Sequence, residues 1–142
     1  MGQNRVHQLR VVVEAPDFDE ALVFFRDVLG LPETAAFAAG GDERVAILDV
    51  GRATLELATP SHKVAIDRVE AAGRPSPPIR LAFEVLDTAA ETDRLVDAGA
   101  ELVAEPVRTP WRSINSRLDA PAGLQITLFQ ETAVRRPGRQ AP

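Results

Sequence analysis

Apolar and polar positions along the chain fall into two runs with the same order. Residues 9–13 (LRVVV) are rich in β-branched side chains and predict a strand. Pro16 and Asp17 interrupt it, and residues 18–29 then carry apolar side chains at helical spacing. Asp17 suits the N-cap of that helix, with Glu20 three positions on, and Gly30 stands where helices commonly stop. Segments 34–38, 44–50 and 53–58, separated by Gly40-Gly41 and Gly51-Arg52, predict a small antiparallel meander. The order then repeats. Residues 79–85 (IRLAFEV) predict a strand, Asp87 a cap, 88–98 a helix and Gly99 its stop. Segments 101–105, 111–118 and 124–129 predict a second meander whose last turn is the DAPAG stretch at 119–123.

An offset of 70 residues superimposes the halves, placing Arg10 on Arg80, Glu14 on Glu84 and Asp17 on Asp87. A fixed period with one order of elements points to a duplicated strand-helix-three-strand module. The expected organisation is a flexible N-terminus (1–8), a first βαβββ module (9–59), a helical and Pro-rich linker (60–78), a second βαβββ module (79–131) and a disordered basic tail (132–142). The linker would hold a short helix at 62–72 followed by RPSPP. The fold class is α+β. A twisted four-stranded sheet with a helix on one face leaves the other face bare, so two such modules would form a curved, cup-shaped mixed sheet with the helices outside. Alternation assigns Val11, Val13, Leu81 and Phe83 to the helix side, and Arg10, Val12, Arg80 and Ala82 to the cup. On the last strands Leu55 and Leu57 would point outward, and Thr54, Glu56, Ala58, Gln125, Thr127 and Phe129 inward. Phe24, Phe25 and Phe83 are expected in the core.

With 142 residues, 45% of them hydrophobic, the chain is expected to form one compact domain without staples. The absence of Cys excludes disulfides and thiol nucleophiles. A net charge of -5 argues against nucleic acid as a partner, despite the tail cluster Arg135, Arg136 and Arg139. No apolar run approaches the roughly 18 residues that span a bilayer, and MGQNRVHQLR lacks the apolar stretch of a signal peptide. The expectation is a cytoplasmic protein with no membrane partner.

The stretches APDFDEALVFFRDVLGL (15–31), GRATLELATP (51–60) and DAPAGLQITLFQ (119–130) resemble the vicinal oxygen chelate superfamily of glyoxalases, bleomycin-resistance proteins and ring-cleaving dioxygenases. The likeness runs from residue 9 to 130, with Phe25 where the family commonly has Tyr. It implies a cup holding a divalent metal through four inward positions, usually His or Gln on the first strand of each module and Glu on the last. Carried over, those positions are Arg10, Glu56, Arg80 and Thr127, and only Glu56 matches. Guanidinium groups keep their protons in proteins and have no lone pair for a metal. No metal and no other cofactor is therefore expected. His7 has the wrong strand parity and His62 lies beyond the first module's last strand, so neither is expected to rescue a metal site.

Trp111, Ser113, Asn115 and Arg117 alternate with Ile114 and Leu118, which places a flat aromatic surface and polar groups on one side. The favoured reading is a glyoxalase/bleomycin-resistance-like protein that binds a small anionic or aromatic molecule through Arg10, Glu56, Arg80, Trp111, Asn115, Thr127 and Phe129. It would act by sequestration or metal-free catalysis, with no catalytic residue assigned. The alternative is a glyoxalase-type lyase or isomerase, or a dioxygenase, with its metal at a displaced site. A third reading makes Arg10, Glu56 and Arg80 a salt-bridged filler, with Glu14 and Glu84 taking up the surplus charge. The resemblance also implies a homodimer, because modules of this family pair within one chain or across two.

Overall fold

Two aspartates start helices where the sequence marks them. Asp17 accepts a hydrogen bond from Glu20 N (3.0 Å) at the start of α1 (Phe18–Leu22), and Asp87 accepts one from Ala90 N (3.1 Å) at the start of α3 (Thr88–Asp97). The computed structural model describes residues 10–38, 43–53, 56 and 58–132. They divide into two compact units, Met1–Glu56 and Leu57–Pro142. The fold is mixed α+β.

In the first unit α1 runs on as a π-helical segment, Val23–Val28, and the chain turns at Gly30 with φ +94°. That left-handed conformation is one that glycine adopts without a Cβ penalty. Strands β1 (Glu33–Ala38) and β2 (Arg44–Leu48) then pair antiparallel. Phe24 is buried, with its ring edge-on to Phe25 at 5.1 Å, while Phe25 itself is only half-buried. Arg44 lies over the Phe18 ring and pairs with Asp19 at 2.9 Å.

Two expectations for this unit need correction. Residues 10–13 form no strand, and Val11, Val12 and Val13 are exposed. A lone β-prone segment leaves its backbone groups to water unless a neighbour pairs with them. Of the segment expected as the last strand of this module, Ala53, Glu56 and Ala58 lie outside any strand. Thr54, Leu55 and Leu57 lie outside the described residues, as do residues 1–9, Gly40-Gly41 and the basic tail.

The second unit is a four-stranded sheet in the order β3-β6-β5-β4, built from β3 (Leu81–Glu84), β4 (Glu101–Arg108), β5 (Ser113–Ala120) and β6 (Leu124–Glu131). Strands β3 and β6 run parallel and the other pairs antiparallel. A parallel pair needs a crossover, and α3 is part of it. This helix covers one face of the sheet. Leu95, Leu118, Ile126 and Leu128 are fully buried there, and Phe83 is half-buried. Hydroxyls form a seam along the same contact: Thr88 Oγ1 donates to Ile114 O (2.7 Å), Thr92 Oγ1 donates to Thr88 O (2.6 Å) and lies 2.7 Å from Ser116 Oγ, and Thr88 N donates to the Gln130 side chain (3.0 Å).

The linker helix α2 spans Pro60–Ala71. Thr59 caps it by accepting from His62 N (3.3 Å), and Pro60 stands in its first turn. It packs against β4 and β5, and its buried residues are Asp67, Glu70 and Ala71. Asp67 ties three segments together. Its Oδ1 accepts from Arg117 Nη1 of β5 (2.7 Å) and from Ser76 Oγ (2.9 Å), and its Oδ2 accepts from Ser76 N (3.2 Å). Among the described residues no helix is long and apolar enough to cross a membrane.

Leu95→Ala should lower unfolding free energy by about 2 to 5 kcal/mol in urea denaturation, because it opens a void between α3 and the sheet. Val64→Ala, on the exposed side of α2, should change it by less than about 0.5 kcal/mol. Burial pushes the Asp67 carboxyl up, but hydrogen bonds from Arg117 and Ser76 outweigh it and hold the group below its usual value of 3.8. A carboxylate depressed by folding stabilises above its unfolded pKa, and that contribution is lost as pH falls through the folded value. Wild type should therefore lose stability as pH drops below about 4. Asp67→Asn should be less stable than wild type at pH 7 and show a flatter acid limb, read as denaturation midpoint against pH.

Candidate functional site

Because side chains alternate across a strand, the face of the second sheet opposite α3 receives a defined set of residues. Register places Ala82 beside Thr127, Thr127 beside Arg117, Phe129 beside Asn115, and Gln125 beside Asp119. Arg80, just before β3, reaches the same row, where its Nη1 donates to Thr127 Oγ1. The expected orientation of Arg80, Ala82, Gln125, Thr127 and Phe129 away from α3 therefore describes this unit. Helix α2 lies over the β4 and β5 side of that face.

The centre of the site is a carboxylate held by three side chains. Glu70 Oε2 accepts from Asn115 Nδ2 at 2.7 Å, and Glu70 Oε1 accepts from Arg117 Nε at 3.1 Å. Arg117 Nη2 lies 3.0 Å from that same Oε1 and Arg80 Nη1 lies 3.9 Å from it. Arg117 is fully buried and reaches Asp67 through its other terminal nitrogen. Lys63 Nζ approaches Asp67 Oδ2 at 3.7 Å from the edge, so three cations face two carboxylates.

Hydrogen bonding on this face is incomplete. Asn115 Oδ1 and Gln125 Oε1 are buried with no hydrogen-bond partner among the described residues. Unpaired carbonyl oxygens of this kind each cost about 1 to 3 kcal/mol unless something donates to them. The face is also reachable from the β3 side. The Arg80 side chain keeps 21% of its surface exposed, Phe129 is half-buried, and Ala82 and Glu84 are exposed.

Of the residues marked from sequence, Arg80, Asn115, Thr127 and Phe129 share this face. Trp111 is half-buried in the β4–β5 turn, where Arg112 adopts φ +63° and donates its N–H to Thr109 O. Thr132 N donates to Arg112 O, which sets that turn at the Phe129 end of β6. Arg10 and Glu56 are exposed residues of the first unit, as is Glu14. Within the second unit Arg80 meets Glu70 and Thr127, and Arg117 joins Glu70 to Asp67 in the same charged cluster. His62 is exposed in the first turn of α2, and His7 lies outside the described residues.

Asp67, Glu70 and Ser76 were not among the expected site residues. Their signal in the sequence is faint: two acids three apart on a helix, with buried Arg117 as the required counter-charge. Among the described residues no three His, Cys, Asp or Glu side chains converge as a metal ion would need. On the α3 side a groove of about 480 Å3 runs between α3 and β4, and Asp93, Asp97 and Glu105 make it unsuitable for an anion.

The family model described as a glyoxalase-like domain matches residues 10–129. No curated protein sequence gives a match. Among solved structures, TioX from Micromonospora sp. ML1 is 22% identical, covers 92% of this chain and 100% of its own, and superimposes with a TM-score of 0.58. TnmS3, an antibiotic binding protein from Streptomyces sp. CB03234, is 19% identical with coverage of 91% and 99% and a TM-score of 0.55. A glyoxalase-related enzyme from Fulvimarina pelagi is 18% identical with coverage of 89% of each chain and a TM-score of 0.54. These three likenesses concern the fold, whereas the family match spans most of the sequence: the chain belongs to the glyoxalase-like domain family of the vicinal oxygen chelate superfamily.

Proposed function

We propose that the protein binds a small anionic or aromatic molecule on the polar face of its second unit, without a resident metal. The observation that carries this reading is the convergence of Arg80, Arg117 and Asn115 on one carboxylate position beside Thr127 and Phe129. Guanidinium groups with little access to water attract anions far more strongly than they would in bulk solvent. Phe129, half-buried at the edge of the charged cluster, and Trp111 in the adjacent turn offer flat apolar surface for an aromatic ring. That TnmS3 is an antibiotic binding protein supports a binding role for a chain of this fold.

The donor set does not fit the divalent metal that the superfamily implies. Two of its four positions are Arg80 and Thr127, and here the guanidinium donates to the hydroxyl. A group without a lone pair cannot ligate, and its charge repels a dication. Purified protein should accordingly bind no zinc, manganese or iron at one equivalent per chain, as read by metal analysis after dialysis.

The first unit adds an argument for a homodimer, since Phe37 and Val45 are register partners on a hairpin and both are exposed. Sedimentation at micromolar concentration tests that part, and a strict monomer refutes it. The binding role is tested by a thermal-shift panel of aromatic acids, phenols and antibiotics, followed by variants. Arg80→Ala should weaken the best acidic binder by about 1.5 to 3 kcal/mol, a tenfold to hundredfold loss, while the fold is kept. A variant that loses several kcal/mol of stability while no compound binds wild type would make the cluster a structural filler instead.

A further inference from the structure

We propose that Glu70 is a built-in stand-in for the ligand's anionic group. The cradle of Asn115, Arg117 and Arg80 is the anion subsite, and a 2-hydroxy or 2-amino acid takes it over as α2 lifts from the sheet. This rests on the binding role proposed above and names the ligand chemistry and the competition that go with it.

The first support is how α2 is held. Its buried residues are two acids and Ala71, while Ile66 and Val69 are half-buried and Val64 is 52% exposed. Charge rather than apolar area therefore fixes its position. Desolvating ions cancels much of what their pairing returns, so exchanging one carboxylate for another in the same cradle is close to balanced. The second support is independent of the helix. Asn115 is 5% exposed, its amide donates to Glu70, and its Oδ1 is buried with no hydrogen-bond partner among the described residues. A carboxylate has no proton to give that oxygen. An acid with an O–H or N–H donor next to its carboxylate satisfies both ends of the Asn115 amide at once. The partly exposed Arg80 and the exposed Ala82 leave the β3 side open for entry.

The test uses the full chain with mandelate and phenylacetate, which differ by one hydroxyl. Calorimetric titration should show mandelate binding wild type about tenfold more tightly than phenylacetate. Glu70→Gln keeps the shape of the helix but withdraws the competing charge, and it should bind mandelate about tenfold more tightly than wild type. Hydrogen exchange of α2 amides in wild type should speed up when mandelate saturates the protein. Exchange that is unchanged or slower on binding would mean that the acid binds with α2 seated; the binding role would then stand and this inference would fall. Equal affinity of Glu70→Gln and wild type also overturns it. If neither acid binds either protein, this inference falls, and the binding role is decided by the wider panel of aromatic acids, phenols and antibiotics. Should Glu70→Gln not fold, Asp67→Asn, which removes the second charged tie between α2 and Arg117, replaces it under the same expectation, and the exchange measurement on wild type decides independently.

Discussion

A guanidinium with no contact to water must be answered by charge, and Arg117 in the middle of β5 is answered twice, by Asp67 and by Glu70. Both carboxylates come from α2, so a single buried cation determines where that helix lies. It also fixes the path of residues 72–78, because Ser76 reports to the same Asp67 carboxylate through its backbone and its hydroxyl. Leaving one ion of such a set unpartnered inside a protein costs several kcal/mol, much more than the pairing itself returns. The arrangement is therefore held less by the strength of each bond than by the penalty for losing one.

The two faces of the second sheet are built on different principles. Toward α3 the contact is mainly apolar, with Leu95 against a sheet face that includes Leu118, Ile126 and Leu128. Toward α2 it is polar and charged, and polar atoms remain unanswered there. Apolar burial tolerates small misfits in direction, while hydrogen-bonding groups do not. Incomplete pairing on the α2 face, in a unit whose other face is well packed, is what locates the candidate site.

Much of the second unit was legible because its signals are local. Asp87 and Gly99 bracket α3, alternation sorted Leu81 and Phe83 from Arg80 and Ala82, and the turn residues at 119–123 joined β5 to β6. The α2 acids were not legible for a physical reason. On a helix with a weak apolar stripe, Asp67 and Glu70 look like a solvated face. Their burial is imposed by Arg117, fifty and forty-seven positions away in sequence. Residues 10–13 failed in the opposite sense, since β-propensity is strong there but a strand exists only where a neighbour pairs with it. Arg80 and Thr127 share one face of the sheet, and the carboxylate that Arg80 meets comes from the linker and not from the repeat.

The hydroxyl seam under α3 separates two kinds of freedom within the second unit. Thr88, Thr92 and Ser116 are joined to one another and to the backbone in one register. Sliding or rotating α3 by a residue would bury several groups with nothing to bond. Because neighbouring β5 residues point to opposite sides, the charged contacts of the α2 face are set apart from this registration. The sheet thus has one side fixed by register and another fixed by charge, and a change on the second must be matched by its partner on α2 while the first stays as it is.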